Sequence, residues 1–448
     1  MNFDQALAFL LSLGHETLTI KLGLANTEKL LQALSDPQKQ FPKVQIAGTN
    51  GKGSVAVTLA SICRAAGIRA GLFTSPHLVS ITERIAIDGK PISEADIARL
   101  TEQVKTTAEA LVTQGDLETL PTFFEHVTAI ALLAFREARV ELAILETGLG
   151  GRLDSTTAAG ADVVAITPIA MDHEEYLGHT LAEIAAEKAA IIRPGVIAVI
   201  APQEREAFPI ILRRCKTVGV EPRFVESADR APQVTETSAD GRCVITFATD
   251  QDKYEDVPLG LRGRHQVANV ATAMLLAEAL RERGFPISRE AIIEGVASAR
   301  HSGRLEIWDG PPQILLDGAH NAAAALALRE YLDEFVQKPL TMIFGAMRDK
   351  ALVQMAATLF PRADELILTN MDNPRAANLE MLTAAAPETL DNSRMHRAST
   401  VIEALRLARQ FTPPDGLICV TGSLYLVGAA KEILSRESRR VADQRVGH

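Results

Sequence analysis

The chain is poor in sulfur and aromatic rings and has no long apolar run. Of its 448 residues four are cysteine and one is tryptophan, and Phe, Trp and Tyr together make up 4%. Cys63, Cys215, Cys243 and Cys419 are far apart, each in or beside an apolar segment. That spacing excludes a cysteine metal site and points to buried thiols in a reducing compartment. No apolar run is long enough to cross a bilayer. Met1-Asn2-Phe3-Asp4 has neither the basic start nor the apolar core of a secretory leader. The expectation is a cytoplasmic protein with no membrane partner. A basic excess is also missing. The formal net charge is −10, with acids and bases mixed, which argues against a nucleic-acid partner. An anionic ligand would need a local cluster of Lys and Arg.

Apolar residues make up 47% of the chain, and its length suits roughly two or three domains. Short apolar runs alternate with helical periodicity, the signature of an α/β fold with mainly parallel sheets. Strands are predicted at Val44–Ile46, Ile68–Phe73, Leu142–Glu146, Val163–Ile166 and Val196–Ile200. Helices are predicted at Val55–Ala66, Glu94–Val112, Phe123–Arg136, Leu181–Ile192 and Val267–Arg283. Ala201 to Asp256 reads as a polar elaboration on the sheet, with strands at Glu221–Val225 and Cys243–Phe247. The pattern restarts near Arg304, with strands at Ile314–Leu316, Leu340–Phe344, Glu365–Leu368 and Leu417–Thr421. The expected division is 1–298 and 299–436, with 437–448 a frayed tail.

Gly48-Thr49-Asn50-Gly51-Lys52-Gly53-Ser54 lies between a predicted strand and a predicted helix. Glycines let backbone N–H groups close on an oxyanion, and the helix N-terminus adds partial positive charge. Lys52 can neutralise outer phosphates and Ser54 can ligate Mg²⁺. The plainer reading is a glycine turn capping a helix. Lys-Gly-Ser has little use in such a turn.

A carboxylate is needed to hold the metal. Leu142-Ala143-Ile144-Leu145 ends in Glu146, and parallel strands share their C-terminal edge with a phosphate loop. Alone, Glu146 could be a solvated strand end; Gly148-Leu149-Gly150-Gly151 after it favours a ligand. Met171-Asp172-His173-Glu174-Glu175-Tyr176 puts several potential ligands on one loop, where His173 is either a hydrogen-bonder or a ligand. Lys188 sits among alanines on a helix, as a solvated charge or a partly buried amine. Leu315-Leu316-Asp317-Gly318-Ala319-His320-Asn321 and Thr421-Gly422-Ser423 repeat the strand-to-turn pattern. Asp317 could accept hydrogen bonds from ribose or base. Both His320 and Ser423 could be simple helix caps.

Together these segments resemble the folylpolyglutamate synthase/dihydrofolate synthase family of the Mur ligase superfamily. The match runs from Ile20-Lys21-Leu22-Gly23-Leu24 to Thr421-Gly422-Ser423-Leu424-Tyr425-Leu426 and includes Phe73-Thr74-Ser75-Pro76-His77-Leu78. The resemblance implies a Mur-ligase-like ATP-binding domain followed by a Rossmann-like domain. It implies that Gly51, Lys52, Gly53 and Ser54 bind ATP phosphates, and that Asn269, Arg304 and Asp317 contact the nucleotide. It implies two Mg²⁺ sites, one held by Ser75 and Glu146 with Ser54 nearby, the other by Glu146, His173 and Lys188. Lys188 would then be carbamylated (N6-carboxylysine), and Lys52, Lys188 and His320 would be the catalytic set. His320 and Ser423 would receive L-glutamate. Thr122, Phe123, Phe124, Leu153, Asp154 and Ser155 would border the pterin-bearing substrate, although Phe123 and Phe124 could also be helix core. Arg152 is typical of members acting on dihydropteroate as well as folates.

The activity implied is ATP-dependent amide formation through an acyl phosphate, by a monomer acting on small molecules. The competing readings are a monofunctional folylpolyglutamate synthase, a cell-wall Mur ligase and a nucleotide-binding regulator without catalysis. A cell-wall ligase usually carries a uridine-nucleotide domain before its phosphate loop, and the chain before Gly48 is short for one. A regulator leaves the set Glu146, His173, Lys188 and His320 without a purpose.

Overall fold

The computed structural model describes residues 1–14, 23–227 and 230–446. Ile20, Lys21 and Leu22 of the first family-like segment lie outside these residues. Three sheets form, and their order explains where chemistry can collect. The first contains Lys43–Ala47 (β1), Ala70–Phe73 (β2), Ile85–Ile87 (β3), Lys90–Pro91 (β4), Leu142–Glu146 (β5), Val163–Ile166 (β6), Ile197–Ile200 (β7) and Arg223–Phe224 (β8), in the order β4-β3-β2-β5-β1-β6-β7-β8. From β2 to β8 the pairing is parallel; β3 and β4 add an antiparallel edge.

Every residue of β1, β5 and β6 is buried, as expected where helices cover both faces. Leu142 and Ile144 enter a core with helices Lys52–Ala65 and Gln266–Glu282. Ala143 and Leu145, one residue out of phase, enter the opposite core with helix Phe123–Glu137. Gln45 interrupts this apolar centre with 0% exposure. Its amide donates to the hydroxyls of Thr147 (3.2 Å), Thr156 (3.0 Å) and Thr157 (2.7 Å), tying the glycine loop after β5 to the sheet.

The stretch read as a polar elaboration is more than that. Only Arg223–Phe224 adds to the first sheet. Gln233–Thr237 (β9), Arg242–Ala248 (β10) and Lys253–Arg262 (β11) build their own antiparallel sheet. The predicted strand Cys243–Phe247 lies within β10, where Cys243, Ile245 and Phe247 are buried while their neighbours are not; β9 and β11 were not predicted. Helix Phe208–Val218, also absent from the sequence reading, has Pro in its first turn and buries only Ile211 and Cys215.

The third sheet contains Glu306–Trp308 (β12), Gln313–Leu316 (β13), Leu340–Phe344 (β14), Glu365–Thr369 (β15), Met395–Ala398 (β16) and Leu417–Thr421 (β17), in the order β12-β13-β17-β14-β15-β16. It is parallel except for β12. The expected frayed tail is corrected in part, because helix Leu424–Val446 runs through its start. Arg409 Nη1 and Nη2 hold Glu437 at 3.1 and 2.6 Å, and Arg436 pairs with Glu432 one turn back. Among the described residues no helix is long and apolar enough to cross a membrane.

Candidate active site

Parallel strands deliver their C-terminal loops to one edge, and here two such edges face each other. From the first sheet come the loops after β2 (Ser75), β5 (Glu146 to Asp154), β1 (Gly48 to Gly51) and β6 (Thr167 to His173). From the third come those after β13 (Asp317 to Asn321), β14 (Gly345 to Lys350), β15 (Arg375) and β17 (Ser423). Between them lies a cavity of about 460 Å³. Every site residue named from the sequence lines it.

The phosphate loop is crowded. Gly51 has φ +89°, and a Cβ there would stand 2.2 Å from Asn269 Oδ1; a Cβ on Gly53 would stand 2.8 Å from His301 Cε1. Helix Lys52–Ala65 begins directly after this turn, three residues earlier than predicted, because the left-handed glycine is its N-cap. Lys52 Nζ folds back to donate to the carbonyls of Gly48 (3.1 Å) and Thr49 (3.0 Å). Lys188 Nζ donates to the same Gly48 carbonyl at 2.8 Å. Lys188 is 4% exposed. Burial, followed by the charge of Lys52, brings its amine down to about 7. The solvated-charge reading of Lys188 is therefore wrong. Glu146 is 5% exposed, and its Oε2 accepts from the Ser75 backbone N–H at 3.2 Å.

Asp172 joins the two edges. Lys350 Nζ is 2.5 Å from its Oδ1, and Asn321 Nδ2 donates to its Oδ2 at 3.1 Å. Asn321 also donates to Asn50 Oδ1 at 3.0 Å, while its own Oδ1 caps the helix Ala322–Phe335. His173 Nε2 and His320 Nε2 stand 4.0 and 3.7 Å from the Asp172 carboxylate. Burial tends to raise the Asp172 carboxyl, but the charges around it hold it well below the usual carboxylate range. Burial pushes His173 down to about 3 and His320 to about 4, so both rings are neutral near pH 7. A neutral ring keeps a lone pair for a cation or proton. The helix cap is Asn321 rather than His320. Ser423 Oγ does act as a cap, accepting from Tyr425 N at 3.2 Å.

Several expected ligand contacts already have protein partners. Asp317 accepts from the N–H groups of Leu305 and Ala319, at 2.9 and 3.0 Å. Asp154 accepts from Leu149 N and Thr156 N at 2.9 Å and from Thr156 Oγ1 at 2.5 Å, which makes it the anchor of the loop after β5. Ser155 Oγ meets Thr128 Oγ1 at 2.6 Å. Phe123 is 4% exposed and belongs to the core, with Arg84 over its ring at 5.2 Å. Phe124 stands against Gly148, where a Cβ would meet its ring at 2.5 Å. Thr122 caps their helix with Glu125 in a capping box.

Among the described residues no group of three or more His, Cys, Asp and Glu is gathered at metal-binding spacing. Mg²⁺ is a hard cation that takes one or two carboxylates and completes its shell with water and phosphate oxygens. The oxygen donors Ser54, Ser75 and Glu146 fit it. Sequence reasoning did not select Asp172, Lys350, His301, Asn50 or Asn321, all of which line or bridge the cavity. Asp172, Asn50 and Asn321 fall within segments that the sequence marks out, whereas Lys350 and His301 carried no local signal.

Two family models match the chain: the Mur ligase middle domain over residues 46–277 and the Mur ligase, glutamate ligase domain over residues 303–424. The dihydrofolate synthase/folylpolyglutamate synthase of Bacillus subtilis is 34% identical over 420 residues, covering 93% of this chain and 95% of that protein. A Haloferax volcanii protein named "Probable bifunctional folylpolyglutamate synthase/dihydropteroate synthase" is 34% identical over 97% of this chain, which spans 51% of that longer relative. The solved Mycobacterium tuberculosis folylpolyglutamate synthase complexed with ADP has a TM-score of 0.89 at 32% identity, over 96% of this chain and 98% of that one.

Proposed function

The chain belongs to the dihydrofolate synthase/folylpolyglutamate synthase family of Mur-type ligases, and on that premise we propose that it joins L-glutamate to folates and to dihydropteroate, using ATP. The observation that carries this reading is one cavity in which the glycine loop of the first lobe faces His320 and Ser423 of the second. ATP phosphates lie along Gly51, Lys52, Gly53 and Ser54, with Asn269, Arg304 and Asp317 toward ribose and base. The pterin end enters between Phe124 and Leu153. Arg152, which resembles members acting on dihydropteroate, lines the cavity and pairs with Glu187 at 3.0 Å.

The substrate carboxylate attacks the γ-phosphorus, the bond to ADP breaks, and an acyl phosphate forms. The glutamate amine then attacks the carbonyl, and phosphate leaves with the oxygen it took from the carboxylate. Two anions must meet in the first step, so Lys52 offsets their repulsion and the loop N–H groups hold the phosphate oxygens in line. Mg²⁺ held by Ser54, Ser75 and Glu146, and a second ion by Glu146, His173 and Lys188, would supply further charge neutralisation. For Lys188 to serve there, its neutral amine combines with CO₂ to give a carbamate and a released proton. Its lowered pKa, near 7, supports that chemistry. Walls from both lobes would shield the acyl phosphate from water, which would otherwise hydrolyse it.

Phosphate release with dihydropteroate and with tetrahydrofolate, measured side by side, tests the assignment. Release that depends on glutamate with both acceptors is expected. Release with only one restricts the enzyme to a single activity, and release with neither removes the reading.

A further inference from the structure

His301 has no part in the scheme above, yet it stands against the phosphate loop. Helix Arg289–Ser298 is clamped to helix Lys52–Ala65: a Cβ on Gly295 would lie 2.3 Å from Ile62 Cα, and Ser298 Oγ meets Ser61 Oγ at 3.0 Å. Arg300 pins the chain as it leaves that helix, donating to the carbonyls of Ala299 (2.7 Å) and Ala297 (3.1 Å). His301 is thereby laid over the first turn of the phosphate-loop helix. Its ring contacts Gly53, and its Nδ1 is 3.2 Å from Ser54 Oγ. Glu146 Oε2 is on the same side, 3.5 Å from where a Gly53 Cβ would be. Three residues later Arg304 is bonded to Gly318 O of the second lobe at 3.0 Å.

We propose that His301 is a positioning residue for cation binding: its Nδ1 accepts a hydrogen bond from the Ser54 hydroxyl and so turns the Ser54 lone pairs toward the Mg²⁺ shared with Glu146. A hydroxyl has one hydrogen to donate and two lone pairs. As a ligand it must aim oxygen at the cation and hydrogen away, so it needs an acceptor behind it. Other helix hydroxyls bond back to their own helix, as Thr58 Oγ1 does to Ser54 O at 2.7 Å. Ser54 has a side-chain acceptor instead, carried by the segment that joins the lobes. Outer-shell partners of this kind change metal affinity by about 10–100-fold. The proposal rests on the reading of Ser54 as a cation ligand.

The test is ADP binding to the full chain, with and without Mg²⁺, by calorimetry for wild type, Ser54→Ala, His301→Ala and His301→Asn, with melting temperatures to confirm folding. Asn can place a side-chain oxygen where Nδ1 lies. Expected are a loss of about 10–100-fold in Mg²⁺-dependent affinity for His301→Ala, substantial recovery in His301→Asn and unchanged metal-free ADP binding. If His301→Ala binds Mg²⁺ and ADP like wild type while Ser54→Ala does not, the positioning role is overturned and the Ser54 reading stands. If Ser54→Ala has no effect, the ligand reading fails and this proposal fails with it. An equal loss with and without Mg²⁺ would show that His301 only shapes the loop.

Discussion

Asp172 and Lys350 form an ion pair across the cleft, 2.5 Å apart and 7% and 9% exposed. One follows β6 of the first sheet and the other follows β14 of the third, so the pair fixes how the two edges face each other. Breaking a buried pair from one side leaves an uncompensated charge. Lys350→Met is expected to destabilise the protein by about 3–5 kcal/mol, and adding Asp172→Asn should restore most of that. Denaturant melts of the two variants check it. A single variant within about 1 kcal/mol of wild type would mean that water screens the pair.

Lys52→Ala should cost at least ~10²–10³ in ligation rate with little change in melting temperature, because the role proposed for it is charge neutralisation over the phosphates. Near-wild-type turnover would remove Lys52 from the reaction.

Much of this arrangement was legible because position follows from strand order. β1, β5, β6 and β17 are apolar runs ending in polar turns, and parallel pairing alone sends those turns to a shared edge. What escaped depends on contacts distant in sequence. Lys350 looks like any loop lysine until it meets Asp172, and His301 gains meaning only above Gly53. Of the sheet β9–β11 only β10 was legible, as Cys243–Phe247; β9 buries none of its residues fully and β11 alternates too irregularly to read as a strand. Asp154 pointed toward substrate by sequence, yet its oxygens hold its own loop.

Lys188→Ala should lose activity, and short carboxylates should partly restore it by standing in for the carbamate. Wild type in carbon-labelled bicarbonate should show a carbamate resonance that the variant lacks. Full activity in Lys188→Ala without rescue would leave its amine as nothing more than a donor to Gly48.

Glu278 gives a pH test away from the cavity. Burial raises its carboxyl above the ordinary 4.5, only partly offset by hydrogen bonds from Thr249 Oγ1 (2.7 Å) and Tyr254 OH (2.9 Å). The folded state therefore holds this proton more tightly than the unfolded chain. The resulting stability is complete below the unfolded value and is lost as pH rises through the folded one. Glu278→Gln lacks this titration, so its stability relative to wild type should improve as pH rises from about 4 to about 8. A difference that is flat or falling with pH would contradict the raised pKa.

The central claim is that ATP activates a carboxylate for attack by glutamate. The direct measurement uses dihydropteroate carrying heavy oxygen in its carboxylate, with ATP and L-glutamate, followed by mass analysis of the released phosphate. One heavy oxygen in each phosphate, together with a glutamyl amide product, is the predicted result. Unlabelled phosphate accompanying that product would contradict the account, because the carboxylate would never have been bonded to phosphorus.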